Sequence, residues 1–152
     1  MQATEMKART KQFAVRALRL VNALPRSRSA DVIGGQLLRA ATSVAANYRA
    51  ACRARSRREF LAKLGIVEEE ADESQFWLEV LMEGGLMRAR RVESLRAEAG
   101  ELVAMIVASI RTARRQLRAN PQSAIRNPQT AVQNPQSAIR NPQSAVQNPQ
   151  CS

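Results

Sequence analysis

Histidine is absent from this 152-residue sequence, and aromatic residues make up only 3% of it. The lack of histidine excludes the usual general bases, the common catalytic triads and most zinc sites. Because large aromatic side chains are scarce, Ala, Leu, Val and Ile must build the core, which favours closely packed helices over a sandwich of strands. We expect a protein that is not an enzyme and needs no cofactor.

Cysteine and long apolar runs are also scarce. Cys52 and Cys151 form no motif, and this sparse usage fits a reducing cytoplasm. The longest apolar stretch, 102–110, lies between Glu101 and Arg111 and is far shorter than the roughly 20 residues of a membrane span. We expect a cytoplasmic protein without a signal peptide.

Acidic residues are outnumbered by basic ones, 13 against 24, for a formal net charge of +11. Most of the basic residues are arginine, whose guanidinium donates paired hydrogen bonds to phosphate or carboxylate. This balance favours an anionic partner, most often nucleic acid. The alternative is an arginine-rich surface that only water covers.

A seven-residue repeat built on Asn-Pro-Gln begins near residue 120. Five of the six prolines lie in it, at positions 121, 128, 135, 142 and 149. Proline disrupts helix interiors and central strands, and one apolar residue per repeat does not offset the entropy of ordering. We therefore divide the chain into a helical domain, 1–119, and a disordered tail, 120–152.

Residues before the repeat show apolar periodicity typical of four helices, over about 4–24, 30–54, 56–83 and 88–117. Ser29 is the expected cap of the second helix. Ser56 and Glu59 form a capping-box pattern at the start of the third, and Gly84 follows its end. Short links predict antiparallel neighbours, so the predicted fold class is an all-α, up-and-down four-helix bundle.

Acidic residues concentrate on the third helix, where Lys63 is the only basic residue after the first turn. A carboxylate metal site is one interpretation of this cluster, but a solvated acidic face is the preferred one because no histidine is available. The same helix has a second stripe outside its core face. This stripe consists of Ile66, Glu73, Trp77 and Val80. We assign it to an oligomer interface; the alternative is that the core face of the helix is wider than one stripe.

Arginines form runs at helix ends. Those that end a helix meet the negative end of its dipole, whereas those that begin the fourth helix are placed unfavourably, which indicates an anionic partner. No aromatic residue interleaves with them, so we expect contacts to phosphate that do not depend on base sequence. The predicted nucleic-acid-binding residues are Arg49, Arg53, Arg55, Arg57, Arg58, Arg88, Arg90 and Arg91.

Asn47 is the polar residue of the second helix that lies at the edge of its apolar stripe. Buried amides require hydrogen-bond partners. We expect a buried or half-buried Asn47 whose side chain bonds across the bundle and fixes the register of the helices.

Two long segments resemble a known family. Residues 36–49, QLLRAATSVAANYR, are similar to the second helix of the bacterial 23S rRNA-intervening-sequence proteins, and residues 59–78, EFLAKLGIVEEEADESQFWL, are similar to the third. The resemblance covers roughly residues 7–117 and does not extend to the tail.

This resemblance implies an up-and-down four-helix bundle. Some members of the family are encoded inside insertions in ribosomal RNA genes, and related accessory proteins of diversity-generating retroelements form pentameric rings that bind nucleic acid together with a reverse transcriptase. Two functions follow as expectations: a homo-oligomer, most simply a pentamer, that binds RNA or DNA, or a protein-interaction scaffold without nucleic-acid contact. The implied partners are further copies of the chain, nucleic acid and a reverse transcriptase.

Overall fold

Four α-helices make up the fold. The computed structural model describes residues 3–119, with α1 at Ala3–Val21, α2 at Arg28–Ala51, α3 at Arg57–Glu83 and α4 at Ala89–Ala119. The predicted disorder of the tail, 120–152, lies outside the described residues. The expected all-α four-helix bundle is confirmed, and the predicted helix limits are right to within a few residues.

The helices run alternately up and down. Each packs against its neighbour in the chain, and α1 and α4 close the bundle through a sparser contact. We call the end of the bundle that holds the connection between Ala51 and Arg57 the α2–α3 end. The opposite end, the α3–α4 end, holds the connection between Glu83 and Ala89. At 1.5 Å per residue, the 27 residues of α3 separate the two ends by about 40 Å.

Serine residues cap α2 and α3. Ser56 Oγ accepts a hydrogen bond from Glu59 N at 3.1 Å, which confirms the predicted start of α3. The predicted cap of α2 is wrong by two residues. Ser27, in an extended conformation, accepts from Ala30 N at 3.2 Å and caps the helix, so Ser29 lies inside the first turn.

Small and aliphatic side chains fill the core as expected. Leu37, Val44, Leu64, Leu102 and Ile106 are fully buried, and burial of such a side chain contributes about 1.5–3 kcal/mol. Four alanines of α2 are also buried, which lets neighbouring helices approach it closely. In the part of the chain that the structure describes, no helix is long and apolar enough to cross a membrane.

Polar contacts close the sparser seam between α1 and α4. Arg9 Nε lies 2.7 Å from Glu98 Oε1, and the same guanidinium also pairs with Glu101. About two helical turns further along α1, Arg16 Nη2 donates a hydrogen bond to Ser94 Oγ at 2.9 Å. Hydrogen bonding to Glu98 and Glu101 raises the pKa of Arg9 above its usual range, which favours the charged guanidinium that both ion pairs require.

Asn47 is half-buried, as expected, but its predicted bond across the bundle is wrong. Its Nδ2 donates to the backbone oxygen of Ser43 at 3.0 Å, one turn back on the same helix. The short side chain satisfies its amide locally, so it does not set the register between helices.

Candidate nucleic-acid interface and assembly surface

The eight arginines predicted to bind nucleic acid do not form one patch. Five of them lie at the α2–α3 end of the bundle, and Arg88, Arg90 and Arg91 lie at the α3–α4 end. All are exposed except Arg57, which is half-buried. Since the ends are about 40 Å apart, the two groups belong to two separate surfaces.

A groove runs along the outside of the bundle between α1 and α2, near the α2–α3 end. We call it the α1–α2 groove. Its volume is about 770 Å³, and Lys7, Lys11, Arg49 and Arg53 stand along its walls. Its floor is made of Ala8, Ala14, Thr42, Ala45 and Ala46. The structure thus places two of the predicted arginines beside an apolar floor, together with two lysines that the sequence interpretation did not single out.

Arg57 has a structural contact of its own. Its Nη1 donates to Gln116 Oε1 of α4, and its Nε is buried without a hydrogen-bond partner among the described residues. The side chain lines a second groove, of about 570 Å³, between α3 and α4. Arg57 therefore joins two helices, whereas Arg55 and Arg58 remain exposed next to it.

At the α3–α4 end, arginines of two helices converge. Arg16 and Arg19 of α1 line the same surface cleft as Arg91 of α4, and Arg88 and Arg90 line an adjoining cleft with Arg91. We call these five residues the α1–α4 arginine cluster. Sequence interpretation missed Arg16 and Arg19 because only the packing of α1 beside α4 brings them to this end.

Most cations of the bundle have no acidic partner among the described residues. Within residues 3–119 the ion pairs use Arg9, Arg39 and Arg96 as their cations. In this range, neither the α1–α4 arginine cluster nor the walls of the α1–α2 groove take part in an ion pair. Their positive charge is therefore available to a ligand.

The predicted interface stripe on α3 is partly exposed. Ile66 retains 38% of its accessible surface, while Glu73 and Val80 are half-buried. Trp77 is also half-buried and packs against the core of its own bundle. Trp77 therefore belongs in part to a wider core face, which was the alternative interpretation. The interface role of the stripe stays a prediction.

Glu73 connects this stripe to α2. Its carboxylate pairs with Arg39 and accepts a hydrogen bond from Trp77 Nε1 at 3.0 Å. The hydrogen bond from Arg39, and to a smaller extent the one from Trp77, lowers the pKa of Glu73 below its usual range. The hydrogen bond to Glu73 also raises the pKa of the Arg39 guanidinium. Glu73 is therefore ionised and oriented inside its own bundle.

Phe76 is the exposed apolar residue of α3 that sequence interpretation missed. It retains 53% of its accessible surface, and its ring lies edge-on to Trp77 with centroids 4.9 Å apart. The signal was available, since position 76 lies outside the core stripe one turn after Glu73. The outward surface of this helix, which we call the α3 ridge, consists of Ile66, Glu69, Asp72, Glu73, Phe76 and Val80.

Comparison with known families decides the relationship. The sequence profile of the 23S rRNA-intervening sequence proteins matches residues 2–108. The chain belongs to this family. No curated protein sequence matches it significantly.

A crystal structure shows the same fold in a related protein. This protein of unknown function, from the S23 ribosomal protein family of Bacteroides thetaiotaomicron VPI-5482, is 32% identical to the chain with a TM-score of 0.68. The match covers 73% of this chain and 99% of the relative. The resemblance recognised from residues 36–49 and 59–78 is thus confirmed in sequence and in structure.

Proposed function

We propose that this member of the 23S rRNA-intervening sequence family is a basic homo-oligomer that binds RNA or DNA through the phosphate backbone and is not an enzyme. The α1–α4 arginine cluster is the observation that supports nucleic-acid binding. Its five guanidinium groups come from α1, from the start of α4 and from Arg88 just before it, are free of ion pairs within residues 3–119 and line adjoining clefts. Three of them stand at the start of α4, where the helix dipole disfavours positive charge.

Weak sequence specificity follows from the composition of this surface. The two clefts of the cluster are lined by arginine and by aliphatic side chains such as Leu20 and Met87. With no aromatic side chain in them, they offer no platform on which a base can stack. Charged contacts to phosphate set affinity and position, and they hold for any sequence.

A non-catalytic role is proposed from the surroundings of the candidate nucleophiles. Ser74 Oγ is buried and donates to Glu70 O at 2.7 Å in its own helix. Cys52 is buried next to Tyr48, whose pKa burial raises, so the phenolate needed to deprotonate the thiol is disfavoured. In the described part of the chain, neither group has beside it the general base that nucleophilic catalysis requires.

Self-association is proposed from the α3 ridge. Ile66 and Phe76 leave apolar surface exposed on the same helix, and exposed apolar surface bordered by polar side chains is typical of protein contact sites. The number of subunits, five, comes from the family resemblance. A reverse transcriptase is the protein partner that the same resemblance suggests.

Salt-dependent binding is the test of the nucleic-acid proposal. Fluorescence anisotropy with a labelled RNA hairpin and a labelled DNA duplex, between about 50 and 200 mM salt, is expected to show affinity falling steeply with salt. The triple variant Arg88→Gln, Arg90→Gln, Arg91→Gln is expected to bind more weakly, with a salt slope smaller by about one for each phosphate that it no longer binds.

The matched control removes three charges from the other end of the same helix: Arg111→Gln, Arg114→Gln and Arg118→Gln. These arginines are exposed and meet the negative end of the α4 dipole, so their loss should alter binding less. Equal losses in both triple variants would contradict a site at the α3–α4 end. No salt-dependent binding of either nucleic acid by an assembled wild-type protein would favour the protein-interaction scaffold instead.

A further inference from the structure

The α1–α2 groove is not part of the proposed nucleic-acid site, which lies at the opposite end of the bundle. Lys7 and Lys11 stand one helical turn apart on one wall, and Arg49, in the last turn of α2, and Arg53, just after the end of α2, stand on the other. Between them the floor consists mainly of alanine. Two rows of cations therefore flank an apolar trough of about 770 Å³.

The chemistry of this groove fits an acidic amphipathic helix. Small side chains on the floor let a third helix approach closely, and the flanking cations meet acidic residues at the edges of its apolar stripe. A nucleic-acid strand uses less of this groove, because its phosphate oxygens find donors only along the walls and none on the methyl-lined floor.

The α3 ridge of the same chain has the complementary pattern. Ile66 and Phe76 are exposed and apolar, and between them lie Glu69 and Asp72, which are exposed and form no ion pair within residues 3–119. Like Lys7 and Lys11 in the groove, Glu69 and Asp72 on the ridge stand within one helical turn of each other. Opposite charges of similar spacing can therefore face each other along the two surfaces.

We infer that the α1–α2 groove of one copy receives the α3 ridge of a second copy. This inference rests on the proposed homo-oligomer and names its contact. Groove and ridge belong to different helices of one bundle, so each copy offers one groove and one ridge. Association is head-to-tail, and such contacts form a closed ring when the rotation between copies permits it.

Charge reversal on each side tests the contact by sedimentation velocity of the full chain. The groove variant Lys11→Glu, Arg49→Glu and the ridge variant Glu69→Arg, Asp72→Arg are each expected to weaken self-association at least about tenfold, because like charges then face each other. The quadruple variant restores opposite charges and is expected to recover most of the assembly. Helicity measured by circular dichroism verifies that each variant is folded.

A matched reversal at the other end separates this inference from the proposed function. The variant Arg88→Glu, Arg90→Glu makes the same change in net charge and is expected to assemble normally while losing nucleic-acid affinity. Groove variants that assemble like wild type but lose nucleic-acid binding would overturn the inference and make the groove a nucleic-acid site. A monomeric wild type would overturn both this contact and the homo-oligomer.

A neutral variant addresses the shape of the groove apart from its charge. Ala46 lies on the floor and is exposed, so Ala46→Trp fills the trough without changing a core position. It is expected to weaken assembly at least about tenfold, since overpacked contacts are strongly unfavourable. Ala104→Trp, at an exposed position of α4, is the control expected to assemble normally. Equal assembly by both variants would show that no helix occupies the groove.

Discussion

Trp77 Nε1 donates a hydrogen bond to Glu73 Oε1 at 3.0 Å, one turn earlier on α3. The same carboxylate pairs with Arg39 of α2. Trp77 is the only tryptophan in the chain, so its fluorescence reports on the protonation of Glu73 and on the contact between α2 and α3.

Acid titration of this fluorescence is the first prediction. The folded pKa of Glu73 is lowered, so its stabilising contribution is present above the unfolded pKa of about 4.3 and is lost as the pH falls through the folded pKa. We expect a change in Trp77 emission at a pH below the ordinary glutamate pKa of about 4.3, and we expect Glu73→Gln to abolish it. Glu93→Gln, whose carboxylate pairs with Arg96 instead, should retain the change. A transition above about pH 4.3 would contradict the lowered pKa.

Two adjacent glycines of α2 are predicted to respond oppositely to alanine. A Cβ at Gly34 would lie 2.8 Å from Leu24 Cδ1 and 3.1 Å from Val21 Cγ1, whereas a Cβ at Gly35 meets nothing within 4 Å. We expect Gly34→Ala to lower the free energy of unfolding by about 1 kcal/mol, because crowding against the β-branched Val21 outweighs the gain in helix propensity. Gly35→Ala should raise it by about 0.5–1 kcal/mol through helix propensity. Urea denaturation measures both, and a stabilising Gly34→Ala would show that α1 and its link shift easily.

The core could be predicted from the sequence because apolar spacing of three and four residues determines which side of a helix is buried. That rule places Leu64, Val67 and Leu78 correctly. It does not specify which helices lie beside each other, so the meeting of Arg16 with Arg91 and the groove between α1 and α2 required the fold. Ser27 and Ser29 both match the capping preference, and only backbone conformation distinguishes them.

Loss of Arg9 is predicted to weaken the seam between α1 and α4. The side chain of Glu98 is only 18% exposed, so Arg9→Ala leaves a largely buried carboxylate without its cation. We expect the free energy of unfolding to fall by about 2 kcal/mol, between the values for exposed and buried pairs. Arg114→Ala, an exposed cation of α4, should change it by no more than about 0.5 kcal/mol. Chemical denaturation gives both values, and equal small effects would show that hydrophobic packing alone holds α1.

Neighbouring aromatic residues of α3 are predicted to separate assembly from folding. Phe76 is half exposed, so Phe76→Ala should weaken self-association by about 2 kcal/mol per interface, as for a hot spot, with little loss of folding stability. Trp77 also packs on the core, so Trp77→Ala should weaken both. Sedimentation and urea denaturation of the two variants provide the comparison. Normal assembly by Phe76→Ala would remove this residue from the interface.

The bundle carries positive charge at both of its ends and a strip of acidic residues along α3. Arg88 and Arg91 stand at one end, and Arg55 and Arg58 stand at the other. Two such bundles repel when stacked end to end and attract when they lie flank to flank in the correct rotation. Growth in the axial direction is thus opposed by electrostatics, and an assembly that grows laterally repeats the α1–α4 arginine cluster along one rim, where a long polyanion can contact several copies at once.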